Sequence, residues 1–275
     1  MGTKFLEQQD GKIAFDDTGS GPLVVCVPSM GDVRLEYRFL APQLVSAGYR
    51  VITMDVRGHG ETSASWPDYS VGAVGSDLVA LIRSLDAGPA IIIGDSMAAG
   101  AAVWAAAEAP QWVAGLVLMD PFVRGETPSQ SRLLYSMLFS RPWGPAMWLK
   151  YYSSLYPTRK PDDFKAYCAT LRSNLAEPGR MEALQKMLVA SKAASEQRLP
   201  LVTAPVLVIM GSKDPDFKEP EAEAQRVAES LRATYEMVLG AGHYPHAELP
   251  EVTGPLILSF LQMLKQPIEN AYAEA

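Results

Sequence analysis

Histidine and cysteine are the scarce residues of this chain, three of the first and two of the second in 275. Cys26 and Cys168 are too few and too far apart for a disulfide framework. Cys26 also sits in an apolar run, where a buried structural thiol is the ordinary outcome. With only His59, His243 and His246, and carboxylates that are scattered rather than clustered, no metal site is expected. Basic charge runs short as well, 24 Lys and Arg against 31 Asp and Glu for a net charge of −7. No basic patch marks out nucleic acid or an anionic membrane surface as a partner. A Walker motif is missing, and Gly58-His59-Gly60 lacks the third glycine and the context of a dinucleotide fingerprint, so no cofactor is expected. No apolar run is long enough to span a bilayer, and the first ten residues lack the apolar core of a signal peptide. Leu6 stands where a myristoylation signal takes Ser or Thr. A soluble cytoplasmic protein is the expectation these absences leave.

What the chain has is apolar residues, 48% against 20% charged, enough for a substantial core. A hairpin is read at its start, residues 5–9 and 12–17 around the Asp10-Gly11 turn. Short apolar runs then alternate with amphipathic ones. Strands are expected at residues 23–27, 50–55, 90–93, 114–119, 206–210 and 234–239, and helices at 37–47, 76–85, 97–108, 221–232 and 255–264. Nearly continuous apolar strands separated by helices imply a mostly parallel sheet covered on both faces. From about residue 122 to 199 no strand is legible. Helical pieces at 132–139, 145–156, 161–174 and 180–195 are punctuated by Pro142, Gly144, Pro157, Pro161 and Pro178-Gly179. The division expected is a discontinuous core, residues 1–121 and 200–275, with a helical cap at 122–199 inserted after the sixth strand.

Chemistry concentrates in I-I-I-G-D-S-M-A-A-G, residues 91–100, where an apolar strand ends at Gly94 and a helix begins near Met97. The spacing G-x-S-x-A is one residue from the G-x-S-x-G nucleophile elbow, a strained turn that lifts a serine hydroxyl above the sheet and needs small neighbours two residues away. Gly94 and Ala98 meet that need, and the amides opening the following helix are suited to developing negative charge. A serine merely capping a helix is the plainer alternative. A nucleophilic hydroxyl needs a base, and His243 follows the Ala241-Gly242 turn after the last strand, better placed than its neighbour His246. The base in turn needs a carboxylate to hold its tautomer. Asp214, three residues past Gly211, ranks ahead of Asp120 at the end of L-V-L-M-D-P and of Asp216. The order Ser96, Asp214, His243 is the order of a known hydrolase arrangement.

At this point the sequence resembles the α/β-hydrolase superfamily over nearly its whole length. M-D-V-R-G-H-G-E-T, residues 54–62, is similar to the D-x-R-G-x-G-x-S signature of lidded esterases, lactonases and cofactor-free haloperoxidases. G-D-S-M-A-A-G resembles the elbow of the haloperoxidase-like and carbon–carbon hydrolase branches. The resemblance implies the α/β-hydrolase fold and a loop-bracing role for His59. It also implies an oxyanion hole of two backbone amides, Met97 and one within V-P-S-M-G-D, where Met30 aligns as donor with Ser29 beside it. Relatives carry His-Gly where this chain has Pro28-Ser29. Asp95 is a further departure, since a carboxylate beside the nucleophile opposes more negative charge if it points inward. The function expected is that of a serine carboxylesterase or lactonase acting on small to medium apolar acyl groups, with Ser29, Phe122, Trp143 and Trp148 lining the pocket. Haloperoxidase or perhydrolase activity, carbon–carbon bond hydrolysis, and a small-molecule receptor built on a hydrolase fold remain the alternatives. Epoxide hydrolases and haloalkane dehalogenases use an Asp nucleophile, and Ser96 stands in its place.

Overall fold

The computed structural model describes residues 2–125, 134, 135, 137–140 and 142–273, with side chains to residue 265. Eight strands form one sheet: β1 (Lys4–Gln8), β2 (Gly11–Thr18), β3 (Leu23–Val27), β4 (Arg50–Met54), β5 (Ala90–Asp95), β6 (Val113–Met119), β7 (Val206–Gly211) and β8 (Thr234–Val238). Their order is β1-β2-β4-β3-β5-β6-β7-β8. β1 and β2 form the hairpin, with Gln8 opposite Gly11, and β2 pairs antiparallel with β4. Every pairing from β4 to β8 is parallel. The helices are α1 (Leu40–Ser46), α2 (Val71–Ser84), α3 (Met97–Glu108), α4 (Gly144–Ser154), α5 (Phe164–Ala176), α6 (Arg180–Val189), α7 (Pro220–Leu231) and α8 (Pro250–Ala273).

The period of two along the strands explains why both faces are covered. Leu23, Val25 and Val27 of β3 pack into one core with α2, α3 and α7, whereas Val24 and Cys26 enter a second core with α1 and α8. Each Val, Leu or Ile buried there contributes about 1.5–3 kcal/mol. Among the described residues the excursion between β6 and β7 is helical, α4 to α6, and it contributes to two smaller apolar clusters, one where Tyr152 and Tyr167 meet Tyr244 of the loop after β8 and one around Phe139–Trp148–Leu184. The helix expected at 132–139 lies partly outside the described residues.

Two helices begin earlier than periodicity suggested. α2 starts at Val71 because the Ser70 Oγ accepts the Ala73 amide at 3.2 Å, a cap outside the apolar pattern. α8 starts at Pro250 and runs through Pro255, which the sequence reading took for its first residue. Chain order reverses at β3, since β4 lies to one side and β5 to the other. A crevice at the carboxyl ends of β3 and β5 is where ligands bind in open sheets of this kind. Among the described residues no helix is long and apolar enough to cross a membrane.

Candidate active site

Ser96 occupies the β5–α3 junction at φ 55°, ψ −119°, a conformation that strains any residue with a Cβ. Its amide donates to Met119 O at 2.9 Å and its carbonyl accepts the Phe122 amide at 3.1 Å, so the bend is clamped from β6. Gly94 must be glycine: a Cβ there would lie 2.7 Å from Ala98 O. The expected small pair, Gly94 and Ala98, is thus a packing requirement of the turn.

His243 reaches the same crevice from the loop after β8. Its Nδ1 lies 2.6 Å from Asp214 Oδ2, and Asp216 Oδ2 is farther, at 4.0 Å. Asp214 Oδ1 accepts the Asp216 amide at 2.9 Å, which fixes the carboxylate plane. Burial works against ionisation of Asp214. The His243 charge and hydrogen bond, the Asp216 amide and Asp120 outweigh it and hold the carboxyl below its usual range. Burial likewise opposes a charged His243, yet the Asp214 carboxylate wins and raises the imidazole well above 6.5. Asp120, the second candidate acid, lies beside this pair but gives its Oδ1 to the Gly211 amide at 2.9 Å. Burial, then the charge of Asp214, pushes the Asp120 carboxyl well up. Ser96 and His243 line one cavity without a hydrogen bond between them in this structure, a common geometry for a hydroxyl–imidazole pair before a substrate tightens it.

Two amides of the loop after β3 are already committed. Ser29 N–H donates to Glu36 Oε2 at 2.8 Å, and Gly31 N–H donates to His59 Nε2 at 3.0 Å. Among the described residues the Met30 amide has no acceptor. Met97 opens α3, so its N–H is one of the four that a helix leaves unbonded. His59 Nδ1 lies 2.8 Å from Arg57 O, which leaves Nε2 as the acceptor for Gly31. Burial lowers this imidazole to about 4, so it braces the loop as a neutral ring.

A cavity of about 630 Å3 opens over Ser96, with Ser29, Met30, Phe122, Trp148 and His243 in its wall. Phe122 stacks on Phe217 at 4.8 Å and presents its ring to His243 at 5.7 Å. Trp143 is not in the wall: its side chain is 53% exposed and its Nε1 donates to Met137 O. Trp148, five residues on, is turned by roughly 140° along the helix and is buried against the loop, with Nε1 3.3 Å from Gly31 O.

Several residues of the site escaped the sequence reading. Gly31, at φ +76°, has Trp148 so close that a Cβ would lie 2.3 Å from the indole. Asp32 accepts Tyr152 OH at 2.9 Å and also accepts Tyr167 OH, tying the loop to α4 and α5. Glu248 accepts the amides of Thr158 and Arg159 at 2.8 Å through Oε1 and that of Gly242 at 2.6 Å through Oε2. None of these has a local motif; the only available signal was their position beside one that does.

His246 does not face the cavity. It is buried, stacks on Tyr37 at 5.0 Å, and lies 3.4 Å from Glu36 Oε1.

Comparison with known proteins places residues 22–250 in a family described as alpha/beta hydrolase fold. A Mycobacterium tuberculosis protein that carries the name of a non-heme bromoperoxidase is 29% identical over 272 residues, covering 92% of this chain and 98% of its own. A mouse protein named sn-1-specific diacylglycerol lipase is 26% identical over 263 residues, covering 90% of this chain and 83% of its own. Among solved structures, a bromoperoxidase from Bacillus anthracis superposes with a TM-score of 0.82 at 20% identity, covering 95% of this chain and all of that one.

Proposed function

The chain belongs to the α/β-hydrolase fold family, and on that premise we propose that it is a serine hydrolase cleaving carboxylic esters or lactones, with Ser96 as nucleophile, His243 as base and Asp214 as its orienting acid. The observation that carries this reading is the 2.6 Å His243–Asp214 contact beside a strained Ser96 on the floor of one cavity. His243 Nε2 takes the Ser96 proton as Oγ attacks the carbonyl carbon, and Asp214 stabilises the imidazolium. The Met30 and Met97 amides receive the oxyanion. Collapse expels the alcohol, which takes the proton from His243, and water repeats the sequence on the acyl-enzyme. Asp214 is preferred to Asp120 because only the former touches the ring.

Residues 122–199 act in this reading as a cap whose helices shape the acyl pocket. Leu138, Phe139, Met147, Trp148 and Leu188 make its far wall apolar, which favours a small to medium apolar acyl group. A chromogenic ester series run with Ser96→Ala tests the proposal. Hydrolysis that disappears in the variant, together with phosphonate labelling of Ser96, is the expected result. Absence of both overturns it in favour of a receptor on a hydrolase fold. Peroxide in place of water as acyl acceptor is a second reading, supported by the relative with a bromoperoxidase name. Formation of peracid from hydrogen peroxide and a short carboxylate, faster than ester hydrolysis, would favour it.

A further inference from the structure

Next to Ser96 in the sequence, at Asp95, three ionisable side chains meet in the interior. Glu36 comes from the turn Arg34–Tyr37, Asp95 from the last position of β5 and His246 from the turn Pro245–Glu248. All are at most 1% exposed, and one ligand atom from each lies within 4.8 Å of the other two. Seven buried side-chain polar atoms lack a hydrogen-bond partner among the described residues. Five of them are here: Glu36 Oε1, Asp95 Oδ1 and Oδ2, and His246 Nδ1 and Nε2. The Glu36 Oε1–His246 Nε2 pair is 3.4 Å apart yet not aligned as a hydrogen bond.

A buried carboxylate with no donor is untenable, and two of them side by side more so, because like charges in a poorly solvated site cannot both persist. A proton eases both difficulties at once, since it removes one of the two like charges and gives one orphaned carboxylate oxygen a donor. We propose that Glu36, Asp95 and His246 form a proton-sharing cluster in which Asp95 is a neutral carboxylic acid whose O–H donates toward Glu36 Oε1 while its other oxygen accepts from the N–H of the neutral His246 ring, and that Glu36, through its other oxygen, positions the oxyanion loop. The same Glu36 accepts the Ser29 amide at 2.8 Å, one residue before Met30, while Asp95 is the residue before Ser96. The cluster therefore links the two segments that carry the reacting groups. A neutral Asp95 adds no negative charge beside Ser96, which accounts for an acid at this position.

The charges around the cluster favour this distribution. Burial, then Glu36, pushes Asp95 well above the ordinary carboxylate range; Asp120 and Asp214 act in the same direction and His243 opposes them. Burial raises Glu36 to about 8 against the Ser29 amide, His243 and Arg38. Burial lowers His246 to about 3, with Asp32 opposing and Arg38 and His243 adding to it. Tyr37 OH is committed to Val27 O at 2.7 Å, and burial followed by the charge of Glu36 raises Cys26 beyond the range where it ionises, so neither competes for the proton.

The inference rests on the serine-hydrolase reading for its catalytic half, and the test separates the two. Infrared spectra of the full-length protein at neutral pH should contain the carbonyl stretch of a buried, protonated carboxylic acid that disappears in Asp95→Asn; this readout needs no turnover. Because an amide reproduces the charge of a neutral acid, Asp95→Asn should keep kcat within about threefold, and it should gain stability over wild type as pH rises from 5 to 9. Glu36→Gln, which can still accept the Ser29 amide, should keep activity, whereas Glu36→Leu should lower kcat roughly ten- to hundredfold with KM nearly unchanged. Overturning results are an unchanged carbonyl region in Asp95→Asn, a metal ion retained by wild type and lost in that variant, or equal kcat in Glu36→Gln and Glu36→Leu. If Asp95→Asn fails to fold, the same carbonyl stretch followed in Glu36→Gln decides: a shifted band supports the shared proton, and an unmoved one overturns it. An ester panel without turnover alongside the infrared band defeats the hydrolase reading and leaves the cluster standing.

Discussion

At the scale of single residues, the site depends on which carboxylate meets His243. Replacing Asp214 by Asn leaves the shape but supplies an amide N–H or the wrong tautomer partner, and kcat should fall by about 10⁴-fold. Asp120→Asn should lower kcat by about tenfold or less, because Asp120 bonds the Gly211 amide and only borders the pair. Steady-state kinetics on the two variants distinguish them, and equal losses would remove Asp214 from its role. The pH dependence follows from the same contact. In the proposed role of base His243 is competent only when neutral, and Asp214 raises it well above 6.5. Activity should therefore fall as pH drops through a midpoint above 6.5, later in the descent toward acid for Asp214→Asn, whose midpoint moves down. Gly31 is a second decisive residue. An added methyl would meet Trp148 at 2.3 Å on a backbone at φ +76°, so Gly31→Ala should lose about 1–3 kcal/mol in urea unfolding.

At the scale of elements, the loops are held by carboxylates that reach across the chain. Glu248 is the clearest: one buried side chain accepts amides from residues 158 and 159 and from Gly242, the residue before His243. Glu248→Ala leaves three amides without their acceptor. Allowing for water entering the space, the loss should be about 2–4 kcal/mol by chemical denaturation, with a fall in kcat as the His243 loop loosens. Stability equal to wild type would show that the loop is held elsewhere. This element also shows what was legible in advance. The strands and the turn at Ser96 are legible in the sequence because their signals are local: nearly continuous apolar runs at β3 and β5, and small residues two positions to either side of Ser96. Asp214 and His243 stand out as candidates because each follows an apolar strand. Glu248, Gly31 and Asp32 do not, because their partners lie 90, 117 and 120 residues away and no pattern of spacing encodes such a contact. Trp143 departs from expectation for another reason, while Trp148 lies in the wall as expected. Both are aromatic residues near one helix, and only the helix phase decides that one is wall and the other surface.

At the scale of the whole molecule, the unusual property is how many acids are buried near the site. Burial raises Asp32 to about 7 and Glu36 to about 8, and it pushes Asp95 and Asp120 well above the ordinary carboxylate range. Each binds a proton in the folded chain at a pH where the unfolded chain has released it. Their linkage therefore lowers stability as pH rises from about 4 through 7 or 8. Asp17 works the other way, lowered to about 2 by Arg50 and Lys4, so its contribution is present at neutral pH and is lost only in strong acid. The buried neutral rings of His59 and His246 add loss below about 6.5, where the unfolded imidazoles take up protons. Between pH 5 and 8 the four raised carboxyls outweigh the two lowered imidazoles, so these groups together make stability decline across that interval. Asp32 isolates one contribution, since a carboxyl raised to about 7 by burial loses on the order of 3 kcal/mol of stability between pH 5 and 8. Asp32→Asn removes the titrating group while keeping an acceptor for Tyr152 or Tyr167. Urea midpoints at pH 5, 6.5 and 8 should show the variant well below wild type at pH 5 and approaching it at pH 8. Parallel pH profiles for the two proteins would mean that Asp32 is already ionised in the folded state, with Tyr152 and Tyr167 supplying enough hydrogen bonding to hold the charge in the interior.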